Sequence, residues 1–144
     1  MRTPGTPHAR AGIVLLNLTD QACLLGYREN NGRTYYTVPG GEIELNESPE
    51  QTARREFTEE TSLTAEKITL LATFANPQDP SLTEHLFITT AATGDFNPAN
   101  DPDRALDKPD GQVWDIRWVP FARLAEIPLL PNTAKQALQS YLNL

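Results

Sequence analysis

Residues 38–63 read VPGGEIELNESPEQTARREFTEETSL and gather Glu42, Glu44, Glu47, Glu50, Glu56, Glu59 and Glu60 into one short span. Ser48-Pro49-Glu50-Gln51 has the composition of a helix start. Ser48 can cap, Pro49 suits the first turn, and Gln51 lies three residues on, where its side chain can reach back to the cap. The spacing predicts a helix from there through TARREFTEE to about Thr61. At a helical period Glu56, Glu59 and Glu60 fall within an arc of about 100°, while Ala53 and Phe57 share a different face suited to packing on a sheet. Left bare, Glu56 and Glu60 form a like-charge pair that costs only about a few tenths of a kcal/mol. Two readings of this acidic face follow: a solvated surface, or a site for a hard cation.

Three features favour the cation. Gly40-Gly41 permits close backbone approach, Glu47 sits just ahead of the cap, and Arg55 lies beside Glu56, where it can orient a carboxylate. Oxygen donors without a cysteine set or a histidine pair specify Mg²⁺ or Mn²⁺, and Mg²⁺ is usually held by a few carboxylates together with substrate phosphates.

The same residues resemble the signature of the Nudix hydrolase family, G-x5-E-x7-R-E-U-x-E-E-x-G-U with U a bulky apolar residue. Gly41 stands at the opening glycine, Glu47 at the first glutamate, Arg55-Glu56 at the Arg-Glu pair, Phe57 at the apolar position, Glu59-Glu60 at the double glutamate and Leu63 at the end. Ser62 replaces the family's late glycine, and Asn46 replaces a glycine common just before the first glutamate. Both lie where a left-handed backbone is expected, which Asn adopts readily and Ser at a cost of about 1 kcal/mol. Neither change removes a candidate ligand.

The resemblance implies an α/β/α sandwich and cleavage of the diphosphate linkage in a nucleoside diphosphate derivative. It implies that Glu56, Glu59 and Glu60 bind Mg²⁺ or Mn²⁺, with the Gly40 carbonyl as a further ligand. Glu47 would pair with Arg55 to brace the loop against the helix. The general base is a box glutamate such as Glu56 in some members. In others it is an acid from the loop before the last strand, which here offers Asp107, Asp110 and Asp115; Asp110 beside Gly111 is the choice, against the alternative of a plain Asp-Gly turn. Arg28 and Arg33 flank the polar loop before the box and can meet phosphates. Tyr27, Tyr35, Tyr36 and Phe74 are potential base contacts, of which at most one is expected to serve. His85 is read as hydrogen-bonded to a neighbour. Nucleoside triphosphates are the preferred substrate class, ADP-ribose or a nucleotide sugar the alternative. A catalytically inert nucleotide-sensing domain is the rival from another class, and its expected mark, a broken carboxylate set, is missing from this sequence.

Outward from the box, AGIVLLNL (11–18) and ACLLGYRE (22–29) predict two strands around a turn at Asp20. Both are almost continuously apolar, which marks at least one as covered on both faces. YYTV is a short strand leading to Pro39. KITLLATFA and EHLFITTAA predict further strands, with NPQDPSLT between them as a loop. Residues 93–112 form a long Pro- and Asp-rich connection, a candidate functional loop, before the strand VWDIRWVPF. FARLAEI suggests a short helix. TAKQALQSYL is a helix with Ala134, Ala137, Leu138 and the ring of Tyr141 facing the core. Residues 1–9, rich in Pro, Thr and Gly, read as a flexible arm with His8 disordered. The fold class is α/β, a mixed sheet between two main helices.

A chain of 144 residues suits one domain, 1–144. Twelve basic against 19 acidic side chains give a net charge of −7, which argues against extended nucleic acid or an anionic membrane as partners. A small phosphorylated ligand stays compatible, because a bound cation reverses the local field. No apolar run is long enough to span a membrane, and MRTPGTPHAR lacks the apolar segment of a secretory signal, so a cytoplasmic monomer or homodimer is expected. Cys23, the single cysteine, excludes an intrachain disulfide and reads as a buried apolar residue.

Overall fold

The computed structural model of the chain describes residues 5–98 and 112–144. The two apolar runs become β1 (His8–Asn17) and β2 (Ala22–Asn30), buried without a break over Ala11–Leu16 and Ala22–Tyr27 because both faces are covered. Then follow β3 (Arg33–Thr37), β4 (Gly40–Glu42), α1 (Pro49–Thr61), β5 (Thr64–Ala65), β6 (Thr69–Asn76), β7 (Asp79–Thr89), β8 (Ala92–Thr93), β9 (Gln112–Pro120), β10 (Leu129–Leu130) and α2 (Asn132–Tyr141). Among the described residues the main sheet has eight strands in the order β10-β3-β2-β1-β7-β6, with β4 on β1 and β9 on β2; β5 and β8 form a separate pair. The sheet is mixed, since β1 runs parallel to β7 and β10 parallel to β3 while the other pairs are antiparallel.

One detail of the pairing positions the site. β1 pairs with β2 only from Leu15 to Asn17, and its first half pairs instead with β4, Arg10–Gly12 against Glu42–Gly40. The blades β2-β3-β10 and β1-β7-β6 therefore separate toward that end. On one face of the sheet Ile13, Leu24 and Phe87 pack with Ala53 and Phe57 of α1. On the other, Val14, Leu16, Leu25 and Leu129 pack with Ala134 and Leu138 of α2. The result is the expected α/β/α sandwich, and burial of Phe57 alone contributes about 2–3 kcal/mol.

Four local expectations are corrected. β1 already begins at His8, whose Nε2 lies 3.5 Å from Asp79 Oδ2, so the arm is shorter than residues 1–9 and His8 is ordered. The segment read as the loop NPQDPSLT is mostly strand: β6 turns at Pro77-Gln78 directly into β7, with Asn76 paired to Asp79, and β7 pairs in parallel with β1 from His8↔Leu82 onward. FARLAEI forms only a 3-10 turn at Phe121–Arg123. Tyr141 is 51% exposed and adds little to the core. Cys23 is fully buried, and burial pushes its thiol up to about 12. Among the described residues no helix is long and apolar enough to cross a membrane.

Candidate active site

Helix α1 starts and stops where local chemistry directs. Ser48 Oγ accepts a hydrogen bond from the Gln51 N–H at 3.1 Å, and the Gln51 side chain accepts one from the Ser48 N–H at 2.8 Å. This reciprocal cap contributes about 1 kcal/mol. Asn46 and Ser62 both take the left-handed conformation, at φ 67° and 68°, so the two departures from glycine fall at the positions that require it. The Ser62 hydroxyl donates to the Asn97 carbonyl at 2.9 Å, which offsets its backbone cost.

Between these caps the helix turns Ala53 and Phe57 into the core and sets Glu56 against Gly41 of β4. The Glu56 carboxylate lies so close to Gly41 that a Cβ at that position would collide with it. Glu60 is only 5% exposed; its Oε2 atom is sealed from solvent without a hydrogen-bond donor, while other contacts engage the residue. The Glu59 side chain is 40% exposed.

Arg55 is the hub. Its Nε donates to Glu47 Oε2 at 2.7 Å and its Nη2 to Glu47 Oε1 at 2.9 Å, a fork-to-fork pair. Its Nη1 reaches Glu56 Oε1 at 3.1 Å and Glu59 Oε1 at 3.4 Å. The Thr52 hydroxyl adds a 2.7 Å hydrogen bond to Glu47 Oε1. Arg55 first, and Thr52 after it, hold the Glu47 carboxyl down at about 2, and the hydrogen bonds from Arg55 to Glu47 raise the guanidinium above its ordinary value. Among the described residues no three His, Cys, Asp or Glu side chains converge on a metal-sized centre. The Arg55 guanidinium holds Glu56 and Glu59 instead.

A cleft of ≈770 Å³ opens between the two separated blades of the sheet. Arg28, Arg33 and Tyr35 line one side and Arg10, Asn76 and Glu84 the other. Arg28 stacks over Trp114 at 5.0 Å and Arg33 over Tyr35 at 5.3 Å, which restricts both guanidinium groups. Tyr27 and Tyr36 are core residues packed edge to face at 5.2 Å, and Phe74 packs on the same core, so Tyr35 is the member of that aromatic set that reaches the cleft. Arg10 and Ala11 pair with Glu42 and Gly41, which makes the cleft floor the immediate neighbour of the glycine strand and, through Gly41, of Glu56.

Residues 6–141 match the NUDIX domain family. The chain belongs to the Nudix family. A Mycobacterium tuberculosis protein provisionally named 8-oxo-dGTP diphosphatase 3 is 31% identical over 97 residues, 67% of this chain and 42% of that relative. The ADP-ribose pyrophosphatase of Bacillus subtilis is 37% identical over 65 residues, 43% of this chain and 35% of the relative. This Nudix chain thus spans less than half the length of these curated relatives. Its fold is also that of a MutT structure from work on Aliivibrio salmonicida and Vibrio cholerae, with a TM-score of 0.70 at 22% identity, covering 94% of this chain and 99% of the other.

The remaining candidates divide. Asp107 and Asp110 lie outside the described residues. Asp115 pairs with Arg117 at 3.0 Å, and Arg117 stacks over Tyr27 at 3.6 Å, so Asp115 belongs to the α2 face of the sheet and is turned away from the Nudix helix. His85 Nδ1 lies 3.4 Å from Thr73 Oγ1, in accord with its reading as a neighbour contact. Sequence reasoning missed Arg10, Asn76 and Glu84; Asn76 and Glu84 meet across the β6–β7 hairpin, and Arg10 joins them from the far end of the chain. The pairing of Arg10 with Glu84 bridges 74 positions, and no local pattern signals it.

Proposed function

We propose that this chain is a single Nudix domain that hydrolyses the diphosphate linkage of a nucleoside diphosphate derivative, with nucleoside triphosphates as the preferred substrates. One observation carries the reading: Glu56 of α1, held with Glu59 by the Arg55 guanidinium that Glu47 braces, abuts the glycine strand that borders an arginine-lined cleft. The donor set fits Mg²⁺ or Mn²⁺, being hard oxygens only, with one carboxylate oxygen of Glu60 already sealed from water. Glu56, Glu59 and Glu60 would hold the ion, with the Gly40 carbonyl as a further ligand. Such an ion supplies charge neutralisation at the phosphates and a water acidic enough to act near neutrality. Arg55 and Glu47 orient the carboxylates, Arg28 and Arg33 bind phosphate oxygens, and a box glutamate or Asp110 accepts the proton from the attacking water.

The likeness to the mycobacterial relative supports the triphosphate reading, and the match to the Bacillus ADP-ribose pyrophosphatase supports ADP-ribose or a nucleotide sugar as the second reading. Product analysis on a nucleotide panel with Mg²⁺ or Mn²⁺ separates them. Monophosphate plus pyrophosphate marks a triphosphate substrate, and AMP plus ribose phosphate marks ADP-ribose. Nucleotide binding without turnover of any substrate would make the domain a sensor.

A further inference from the structure

One carboxylate stands in the cleft apart from the helix-borne set. Glu84 is the single acid among the described side chains that line the cleft, and it is only 4% exposed. Arg10 Nη1 donates to its Oε1 at 3.1 Å and Asn76 Nδ2 to its Oε2 at 2.6 Å, so it is held from both ends. Arg10 Nη2 also donates to the Val38 carbonyl at 3.2 Å, which ties this group to the segment leading into the glycine strand. A carboxylate offers about four acceptor positions, and these two bonds use half of them. Glu84 thus lines the cleft with its carboxylate held in place and one acceptor position left on each oxygen. The Tyr35 ring and the apolar Leu130 and Pro131 line the same cleft and suit a planar ring, while Arg28 and Arg33 suit phosphate.

We propose that Glu84 is a specificity-determining residue that reads the nucleobase by accepting hydrogen bonds from two adjacent N–H donors, the ring N–H and exocyclic amine of a guanine-type edge. The other bases mismatch a carboxylate. Adenine and cytosine set one amine donor beside a ring-nitrogen acceptor, and uracil or thymine flanks its single N–H with two carbonyls; each leaves a carboxylate oxygen facing another acceptor. The inference rests on the nucleotide reading of the cleft but not on turnover.

Calorimetric titration with GMP, IMP and AMP tests it. The wild-type protein should bind GMP roughly tenfold or more tightly than AMP, with IMP, which lacks the exocyclic amine, weaker than GMP. Glu84→Gln presents one acceptor and one donor, the complement of the adenine edge, and should lose the GMP preference while gaining affinity for AMP. Equal binding of GMP and AMP by the wild type, no binding of any of the three, or a GMP preference that survives Glu84→Gln overturns the assignment. Should the variant fail to fold, the wild-type series decides alone, since IMP binding as tightly as GMP contradicts it. Absence of hydrolysis alongside an intact GMP preference would remove the enzymatic reading and leave the role of Glu84 standing.

Discussion

Arg55 and Glu47, eight residues apart, meet through two hydrogen bonds of 2.7 and 2.9 Å that join the loop before α1 to its second turn. The pair fixes where the guanidinium lies, and the guanidinium in turn fixes Glu56 and Glu59.

That relationship predicts an acid-sensitive fold. The Glu47 carboxyl is depressed in the folded protein, from about 4.5 to about 2, chiefly by its bonds from Arg55. A depressed carboxyl contributes its stabilisation fully above the ordinary carboxylate range and loses it as pH falls through the window between those values. The melting temperature followed from pH 6 to pH 2 should drop across that window in the wild type and more shallowly in Glu47→Gln. Parallel curves would show that the pair does not contribute.

Gly41 should be intolerant of the smallest side chain. Gly41→Ala puts a methyl group where the Glu56 carboxylate lies and must displace it, so kcat should fall roughly tenfold or more while the circular dichroism spectrum is retained. Full activity in Gly41→Ala would mean that the placement of Glu56 is unimportant.

The cap of the box helix should be worth a measurable amount. Ser48→Ala removes one half of the reciprocal bonding and should cost about 1 kcal/mol, a fall of roughly 3–5 °C in Tm, seen by thermal denaturation.

These elements were legible because their signals are local. Helix start, helix end and the left-handed turns at Asn46 and Ser62 follow from residues within four positions of one another. The apolar runs of β1 and β2 likewise announce strands covered on both faces. What stayed hidden depends on partners far along the chain. His8 is ordered because β1 and β7 pair in parallel from His8↔Leu82, a contact no neighbouring residue encodes. The polar floor of the cleft hides for the same reason: Arg10, Asn76 and Glu84 look like surface residues until the sheet brings them together. For Asp115, named beside the chosen Asp110, strand parity decides the face, and Arg117 pairs with it there.

Asp110 lies outside the described residues, and kinetics can test its role directly. As the general base, Asp110→Asn should lower kcat about 100-fold or more while changing Mn²⁺ affinity little. An unchanged rate would remove it from the mechanism and return the role to a box glutamate.

The proposed role of the α1 carboxylates is to hold a divalent ion against a diphosphate. Its most direct test is pyrophosphate release from a panel of nucleoside triphosphates with Mg²⁺ or Mn²⁺, comparing the wild type with Glu59→Gln. The expected result is metal-dependent formation of monophosphate and pyrophosphate, reduced about 100-fold or more in Glu59→Gln with Tm held within about 3 °C. Hydrolysis that persists without divalent metal, or that is unchanged in Glu59→Gln, would contradict it.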